Sequence, residues 1–488
     1  MTKTTKVKSA IAKSATDSSA KTNSALRELP AVDEIVLELA ADGICSDIPA
    51  PFVRDFARLA IEDARRYLRS LPGDTKSNPS ALRNNIFRSI RKKALEFSRQ
   101  GPTRVNNCTG VIAHTNLGRA PLSKKSLTVV AEKLSGYSNL ELDLGTGKRG
   151  KRGEYVEELL IALTGAEAAC VVNNCAAALV LILNTLANKK EVIVSRGELI
   201  QIGGGFRSPD ILKASGAKLV EVGTTNITSE DDYRGAFSSK TALALKAHQS
   251  NFTQTGFAQS VDVKTLVAIG AEQSVPVVYD LGSGLAVDPQ KVDLGNEASI
   301  VSSLRDGVDI VCFSGDKLLG GAQAGIIVGA KKLIAKMKKN PFYRALRPDK
   351  ITLALAAQTI AEYLNGNWGE NIPLWKMARR SESELYKFGT RIMKTLNCGD
   401  KVTLETTTSR YGGGSLPDVE LPSYGLKFNS SLSANSQAKL FRDLSVPIIG
   451  RVEDGAFVLD LRAVLEEDES IFIDGLVAAK SSLFARSN

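Results

Sequence analysis

Between residues 105 and 369, short apolar runs alternate with helical stretches, and no other feature restricts the chain's fold as strongly. The runs are Ala169 to Val172, Glu191 to Val194, Lys218 to Val222, Ala242 to Ala247, Val275 to Asp280, Ile310 to Phe313 and Ile326 to Val328. Each is rich in valine, isoleucine and leucine and too short to be a buried helix, so each reads as a strand covered on both faces. Helical stretches such as Ala176 to Ala187 separate several of them, as right-handed crossovers between parallel strands require. The rhythm predicts an α/β core with a mostly parallel sheet.

The flanks differ from this core. Residues 1–25 are Lys, Ser, Thr and Ala with one acid, Asp17, and almost no apolar pattern, so they read as a disordered basic tail. In 26–104 the apolar residues fall at helical spacing: Val32, Ile35, Val36 and Leu39, then Phe52, Phe56, Leu59, Ile61 and Leu68. These predict a small all-α domain. Its last helix, Ser80 to Gln100, carries Arg83, Arg88, Arg91, Lys92, Lys93 and Arg99 against Glu96, with Ile86, Ile90 and Leu95 marking the inward side. A face so basic is either solvated or laid against phosphates. From Glu370 a long helical pattern leads through Gly412-Gly413-Gly414-Ser415 into mixed signals, which predict an α+β small domain over 370–488.

The 488 residues correspond to about three domains at roughly 150 residues each, long enough to bury a core without metals or disulfides. Cysteines 45, 108, 170, 175, 312 and 398 form no CxxC pair, and His114 and His248 are the only histidines. A zinc finger and a His-rich metal centre are therefore not expected. No run of about 18 apolar residues and no signal-peptide core appears, so no membrane association and a cytoplasmic location are expected.

Three features in the core carry chemistry. Val171-Val172-Asn173-Asn174-Cys175-Ala176 ends a strand and opens a helix with small residues, leaving backbone N–H groups of Asn174, Cys175 and Ala176 free for a phosphate. Asp280 lies just beyond an apolar strand, where α/β sheets present ligands, although a helix cap would look the same. Ser314-Gly315-Asp316-Lys317 follows another strand and leads into Gly320-Gly321. Phosphate turn, strand-end aspartate and Ser-x-x-Lys, in that order, are the layout of pyridoxal-phosphate enzymes of the aspartate aminotransferase fold, fold type I. In that layout Lys317 forms the Schiff base, Asp280 keeps the pyridine nitrogen protonated and the turn binds phosphate. His248 and Asn251 follow the Ala242 to Ala247 strand, where this fold sets a polar residue beside the ring hydroxyl; Asn251 is the choice there, and His248 is either a site residue or a core imidazole.

Longer motifs narrow the resemblance. Asn116-Leu117-Gly118-Arg119-Ala120-Pro121-Leu122, Tyr137-Ser138-Asn139-Leu140-Glu141, Thr146-Gly147-Lys148-Arg149-Gly150, Ser195-Arg196-Gly197-Glu198-Leu199, Phe313 to Gly321 and Arg344-Ala345-Leu346-Arg347-Pro348-Asp349-Lys350 resemble bacterial selenocysteine synthases, the L-seryl-tRNA(Sec) selenium transferases. Gly413-Gly414-Ser415-Leu416-Pro417 and Gly450-Arg451-Val452-Glu453-Asp454-Gly455 extend the resemblance toward the C-terminus. It implies pyridoxal 5'-phosphate as cofactor, with seryl-tRNA(Sec) and selenophosphate as substrates. Water is lost from the seryl group to give an aminoacrylyl-tRNA, and selenium then adds to form selenocysteinyl-tRNA. It also implies that Arg119, Arg344 and Arg347 bind the selenium donor, for which guanidinium forks suit a multi-oxygen anion. Asp316, beside the lysine, either assists catalysis or stabilises the turn. The helical domain becomes the tRNA reader, and the assembly a homodecamer built as a pentamer of dimers.

The chain departs from the family pattern at four places. Cys175 stands where asparagine is common, Ile227 where arginine is usual, and Tyr343 and Pro348 vary the arginine segment. Two other readings compete: a pyridoxal-phosphate lyase acting on a small amino acid or amino sugar without tRNA, and a noncatalytic RNA-binding protein on a decayed enzyme. The helical domain and the arginine pair oppose the first, and intact Lys317 and Asp280 oppose the second.

Overall fold

The computed structural model describes residues 26, 29–41, 48–70, 78–202, 205–249, 251–295, 297–412 and 414–485. The basic tail and Gly413 lie outside them. Contacts divide the chain between Arg104 and Val105 into two compact units.

The first unit holds helices α1 (Val32–Ala41), α2 (Ala50–Ser70) and α3 (Pro79–Ser98). Asn78 caps α3, its side chain accepting the Ala81 N–H while Pro79 occupies the first turn, where a missing N–H costs nothing. The core gathers Ile35, Leu39, Val53, Ala57, Ile61, Ile86, Phe87, Ile90 and Ala94. Three expectations need correction. Leu95 is 45% exposed, because the stripe continues from Ile90 through Ala94 rather than through its neighbour. Leu59 is likewise 50% exposed, with Ala60 and Ile61 taking the inward positions of α2. Arg83 is not part of a free basic face, since its guanidinium pairs with Glu34 at 3.1 Å and with Glu38. Arg88, Arg91 and Lys92 remain exposed.

The second unit is organised by a seven-stranded sheet: β1 (Ala168–Val172), β2 (Glu191–Ser195), β3 (Lys218–Val222), β4 (Thr241–Ala247), β5 (Val277–Gly282), β6 (Ile310–Ser314) and β7 (Gly325–Gly329). Their order is β1-β7-β6-β5-β4-β2-β3. All seven expected strands are present. Neighbours among β2 to β6 pair in parallel, whereas β7 runs antiparallel to both β1 and β6. That reversal follows from the short glycine-rich connection between β6 and β7, which leaves no room for a crossover helix. Helix α4 (Cys175–Ala187) is buried along most of its length, with Leu179, Leu181, Ile182 and Leu183 packed on one sheet face. Helix α5 (Lys350–Leu364) contributes Leu353, Ala357, Ile360 and Tyr363 to the core on the other.

A four-stranded antiparallel sheet follows, in the order β8-β9-β11-β10, with β8 at Val402–Gly412, β9 at Ser415–Phe428, β10 at Arg451–Glu453 and β11 at Ala456–Asp460. The sequence reading carried helical structure up to the glycine run, and the structure corrects this. Three separate helices lead to Leu396, and β8 then runs into the start of the glycine run at Gly412, pairing with β9 in a long antiparallel hairpin. Thr403 and the run Thr406-Thr407-Thr408 explain the strand, since β-branched side chains pack well on a pleated surface. Residues 105–113 also belong with this C-terminal layer. Asn106 and Asn107 pair in parallel with Ile448 and Ile449, and the Ile112 and Ala113 N–H groups donate to Arg410 and Tyr411.

Asp460 ties these pieces together. Fully buried, its carboxylate accepts from the Ser409 and Ser423 hydroxyls at 2.9 and 2.8 Å, from the Arg462 N–H at 3.0 Å and from Arg451 Nη1 at 3.1 Å. Asp460→Ala is expected to lower the stability of this unit by about 3 kcal/mol, the low end for breaking a buried pair because Arg451 keeps some solvent. Urea denaturation followed by tryptophan fluorescence checks this, since the two tryptophans, Trp368 and Trp375, both lie in this unit.

Candidate active site

Parallel strands present their C-terminal ends at one edge of the sheet, and many of the charged and polar residues singled out above gather there. A cleft of about 330 Å³ at this edge is lined by Arg119, Asn174, Cys175, Ala176, His248, Asp280, Ser314 and Lys317, all from the candidate set.

The turn after β1 is built from its own side chain and its neighbours. Asn174 caps α4 by accepting the Ala177 N–H at 2.8 Å, and the Asn173 N–H donates to the Leu346 carbonyl at 3.0 Å. The N–H groups of Cys175 and Ala176 have no partner among the described residues, which leaves two donors at the head of a 13-residue helix. Gly325 of β7 lies so close that a Cβ there would collide with the Asn174 carbonyl. The antiparallel strand thus fixes the turn's height.

Lys317 sits in the turn after β6 and is held from three sides. The Asp316 carbonyl accepts from the Ala120 N–H at 3.2 Å, the Leu318 N–H donates to Ser283 O at 2.8 Å, and the Tyr363 hydroxyl donates to Leu319 O at 2.8 Å. Gly320, at φ +73°, lets the chain reverse. The lysine is 8% exposed, and its amine makes no hydrogen bond or ion pair among the described residues. Burial therefore lowers its pKa from the ordinary 10.5, opposed by the nearby Cys175 and Asp280. Burial likewise raises the Asp280 carboxyl above its usual range, partly countered by Lys317 and by the Cys175 thiol, which donates to Oδ1 at 3.6 Å. Each group is short of the counter-charge and hydrogen bonds that would stabilise its ionised form.

Not every candidate reaches the cleft. Asn251 does not line it; its amide donates to Gln201 O at 2.8 Å. His248 is present, but Nδ1 is buried without a partner and Nε2 lies 3.5 Å from Glu297. Asp316 faces Arg119, whose Nη1 reaches its two carboxylate oxygens at 3.0 and 2.8 Å. The Nε and Nη2 groups of Arg119 have no described partner. Arg344 and Arg347 lie outside the lining: Arg344 is exposed, while Arg347 approaches Glu141 at 3.6 Å, alongside Arg149 at 2.7 Å and Arg152 at 3.5 Å. The Leu346 carbonyl nevertheless joins that segment to the turn at Asn173.

Sequence reasoning assigned no role to Glu198 and Lys246. Glu198 is 3% exposed and takes Lys246 Nζ at 2.5 Å and the Ala247 N–H at 2.9 Å, bracing the end of β4 before His248. A lysine inside an otherwise apolar strand was the available signal. Gln323, in the glycine-rich turn, also lines the cleft.

A model of the family described as SelA, L-seryl-tRNA selenium transferase, matches residues 105–465. An L-seryl-tRNA(Sec) selenium transferase of Clostridium perfringens is 43% identical over 460 residues, covering 93% of this chain and 98% of that one. The chain belongs to the L-seryl-tRNA selenium transferase family. The Aquifex aeolicus member is 41% identical over 449 residues, covering 91% of this chain and 96% of its own. Among solved structures, D-glucosaminate-6-phosphate ammonia-lyase covers 80% of this chain and 98% of its own at 17% identity and a TM-score of 0.58, a likeness of fold. The cofactor of this family member is pyridoxal phosphate, and the fold is type I.

The residues present fit that group. Two unpaired helix-head N–H groups suit its phosphate, a desolvated carboxyl suits a protonated ring nitrogen, and an unpartnered buried amine suits its aldehyde. Covalent attachment of added cofactor to the cofactor-free protein is expected to quicken with rising pH and level off below the pKa of an ordinary lysine, because the neutral amine is the nucleophile. Stopped-flow absorbance measures the profile, and Lys317→Ala should abolish the attached-cofactor band.

Proposed function

We propose that this chain converts L-seryl-tRNA(Sec) to L-selenocysteinyl-tRNA(Sec) with selenophosphate, in the cleft at the sheet's C-terminal edge. The observation that carries this reading is the buried, unpartnered Lys317 amine sharing a cleft with Asp280, in a chain that matches selenium transferases over nearly its whole length.

Each residue then has a task. The Cys175 and Ala176 N–H groups and the Ser314 hydroxyl hold the cofactor phosphate, Asp280 holds a proton on the ring nitrogen, and His248 lies beside the ring. When bound, pyridoxal phosphate supplies an electron-withdrawing ring that spreads the negative charge left as a proton leaves the carbon next to the seryl amine. Lys317 takes that proton as a neutral amine, a role that its lowered pKa favours. The β-hydroxyl then departs with a proton as water, the selenium of selenophosphate bonds to the β-carbon, hydrolysis of its selenium–phosphorus bond releases phosphate, and a proton returns to the α-carbon. Arg119 holds selenophosphate through the guanidinium edge that Asp316 leaves open, so Asp316 is a positioning residue. Arg344 and Arg347 complete the anion site as the donor arrives.

In this reading residues 26–104 bind the tRNA, with the exposed Arg88, Arg91 and Lys92 of α3 against its backbone. The enzyme works in the cytoplasm as a homodecamer, a pentamer of dimers. Among the described residues no helix is long and apolar enough to cross a membrane.

Purified protein with bound cofactor should produce selenocysteinyl-tRNA from seryl-tRNA(Sec) and selenophosphate, read by acid-gel or mass analysis of the aminoacyl group. No turnover by cofactor-loaded protein, or ammonia and a keto product from free amino acids, would replace this reading with the lyase. Arg119→Lys should raise the selenophosphate KM roughly tenfold, the worth of one charge-assisted hydrogen bond, while the cofactor absorbance stays unchanged. Reversing two charges, Arg88→Glu with Lys92→Glu, should weaken tRNA binding about tenfold or more in filter-binding assays and flatten its salt dependence.

A further inference from the structure

On the floor of the cleft lies a group of side chains of which the mechanism uses only one, that of Asp280. Cys312, fully buried on β6, is the register partner of Asp280 on β5. Cys175, the first residue of α4, brings its thiol to the same place. The sulfur of Cys175, a carboxylate oxygen of Asp280 and the sulfur of Cys312 all lie within 4.8 Å of one another. Among the described residues this is the one place where three metal-binding side chains converge so closely. Their positions at 175, 280 and 312 hide the group from any search for close cysteine spacing.

The geometry points to a binding site for a soft, filled-shell divalent cation, zinc or cadmium, that is available when pyridoxal phosphate is absent and is closed when it is bound. Tetrahedral coordination at about 2.3 Å to sulfur and 2.0–2.2 Å to oxygen sets neighbouring ligand atoms roughly 3.5–3.8 Å apart. The Cys175 Sγ to Asp280 Oδ1 distance is already 3.6 Å. Two adjacent strands and a helix end fix the three backbones, so binding requires side-chain adjustment rather than refolding. As the cation enters, both thiols release their protons to solvent and sulfur–metal bonds form. Two thiolates and a carboxylate exceed the cation by one negative charge, which protonation of Lys317 in the same cleft offsets. Solvent fills the fourth position.

Competition with the cofactor follows from Asp280. A carboxylate bound to a metal cannot also accept the proton of a pyridine nitrogen, and a metal tethering Cys175 restrains the turn that holds the phosphate. This half of the inference rests on the cofactor assignment above; cation binding itself does not.

The test uses the full chain, reduced and freed of cofactor, titrated with cadmium alone. Expected is one cadmium per chain, with an ultraviolet thiolate-to-cadmium charge-transfer band that pyridoxal phosphate prevents and slowly reverses. Cys175→Asn and Cys312→Ser should each weaken the site by more than the roughly 10–100-fold that loss of a supporting contact costs. A band of unchanged intensity and midpoint in the double variant would place the cation on other cysteines and overturn the site, as would no binding above that variant. A band that responds to both substitutions but not to pyridoxal phosphate would uphold the metal site and remove Asp280 from the cofactor.

Discussion

Burial of two groups of opposite charge, neither supplied with a full set of partners, is the constraint around which the second unit is arranged. Lys317 and Asp280 stand at the ends of adjacent strands, and desolvation presses both toward their neutral forms. A protein gains no stability from such an arrangement by itself. It becomes favourable with a ligand that takes up the amine covalently and presents a protonated ring nitrogen as hydrogen-bond donor to the carboxylate, so cofactor binding is expected to stabilise the fold by mass action. The supports around Lys317, from Ala120, Ser283 and Tyr363, act on the backbone of its neighbours Asp316, Leu318 and Leu319 and leave the lysine side chain free to react.

The anion-handling residues divide by how far their charge is already satisfied. Arg119 spends one nitrogen on Asp316 and keeps two donor groups unclaimed, while Arg347, Arg149 and Arg152 crowd around the single carboxylate of Glu141. Three guanidinium groups on one acid leave excess positive charge beside the segment that touches the phosphate turn. That distribution suits a substrate bringing several negative charges at once.

Much of this was legible in the sequence because parallel strands buried on both faces must be short, apolar and regularly interrupted. Val172 and Ser314 could be placed at strand ends from that rhythm alone, while β5 runs two residues past Asp280, and the cleft follows from the strands' common direction. Other features were concealed by contacts remote in sequence. Arg83 looks solvent-facing until Glu34 and Glu38 are brought to it by the helix packing, and Glu198 has no evident purpose until Lys246 arrives from another strand. The strand before the glycine run was missed because helical periodicity was extended past Leu396, although four threonines between 403 and 408 favour a pleated surface.

The pairing of Asn106 and Asn107 with Ile448 and Ile449 has a consequence for how the polypeptide matures. The opening stretch of the catalytic unit finds its hydrogen-bonding partners more than 300 residues downstream, and the Cys108 carbonyl waits for the N–H of Asp460. During synthesis those groups stay unclaimed until the ribosome has released residues 448–460, so contacts of this separation close late and slowly. A nascent chain halted before residue 448 would expose both this edge and the unfinished sheet, which makes the interval before residues 448–460 emerge the one in which chaperone protection matters most.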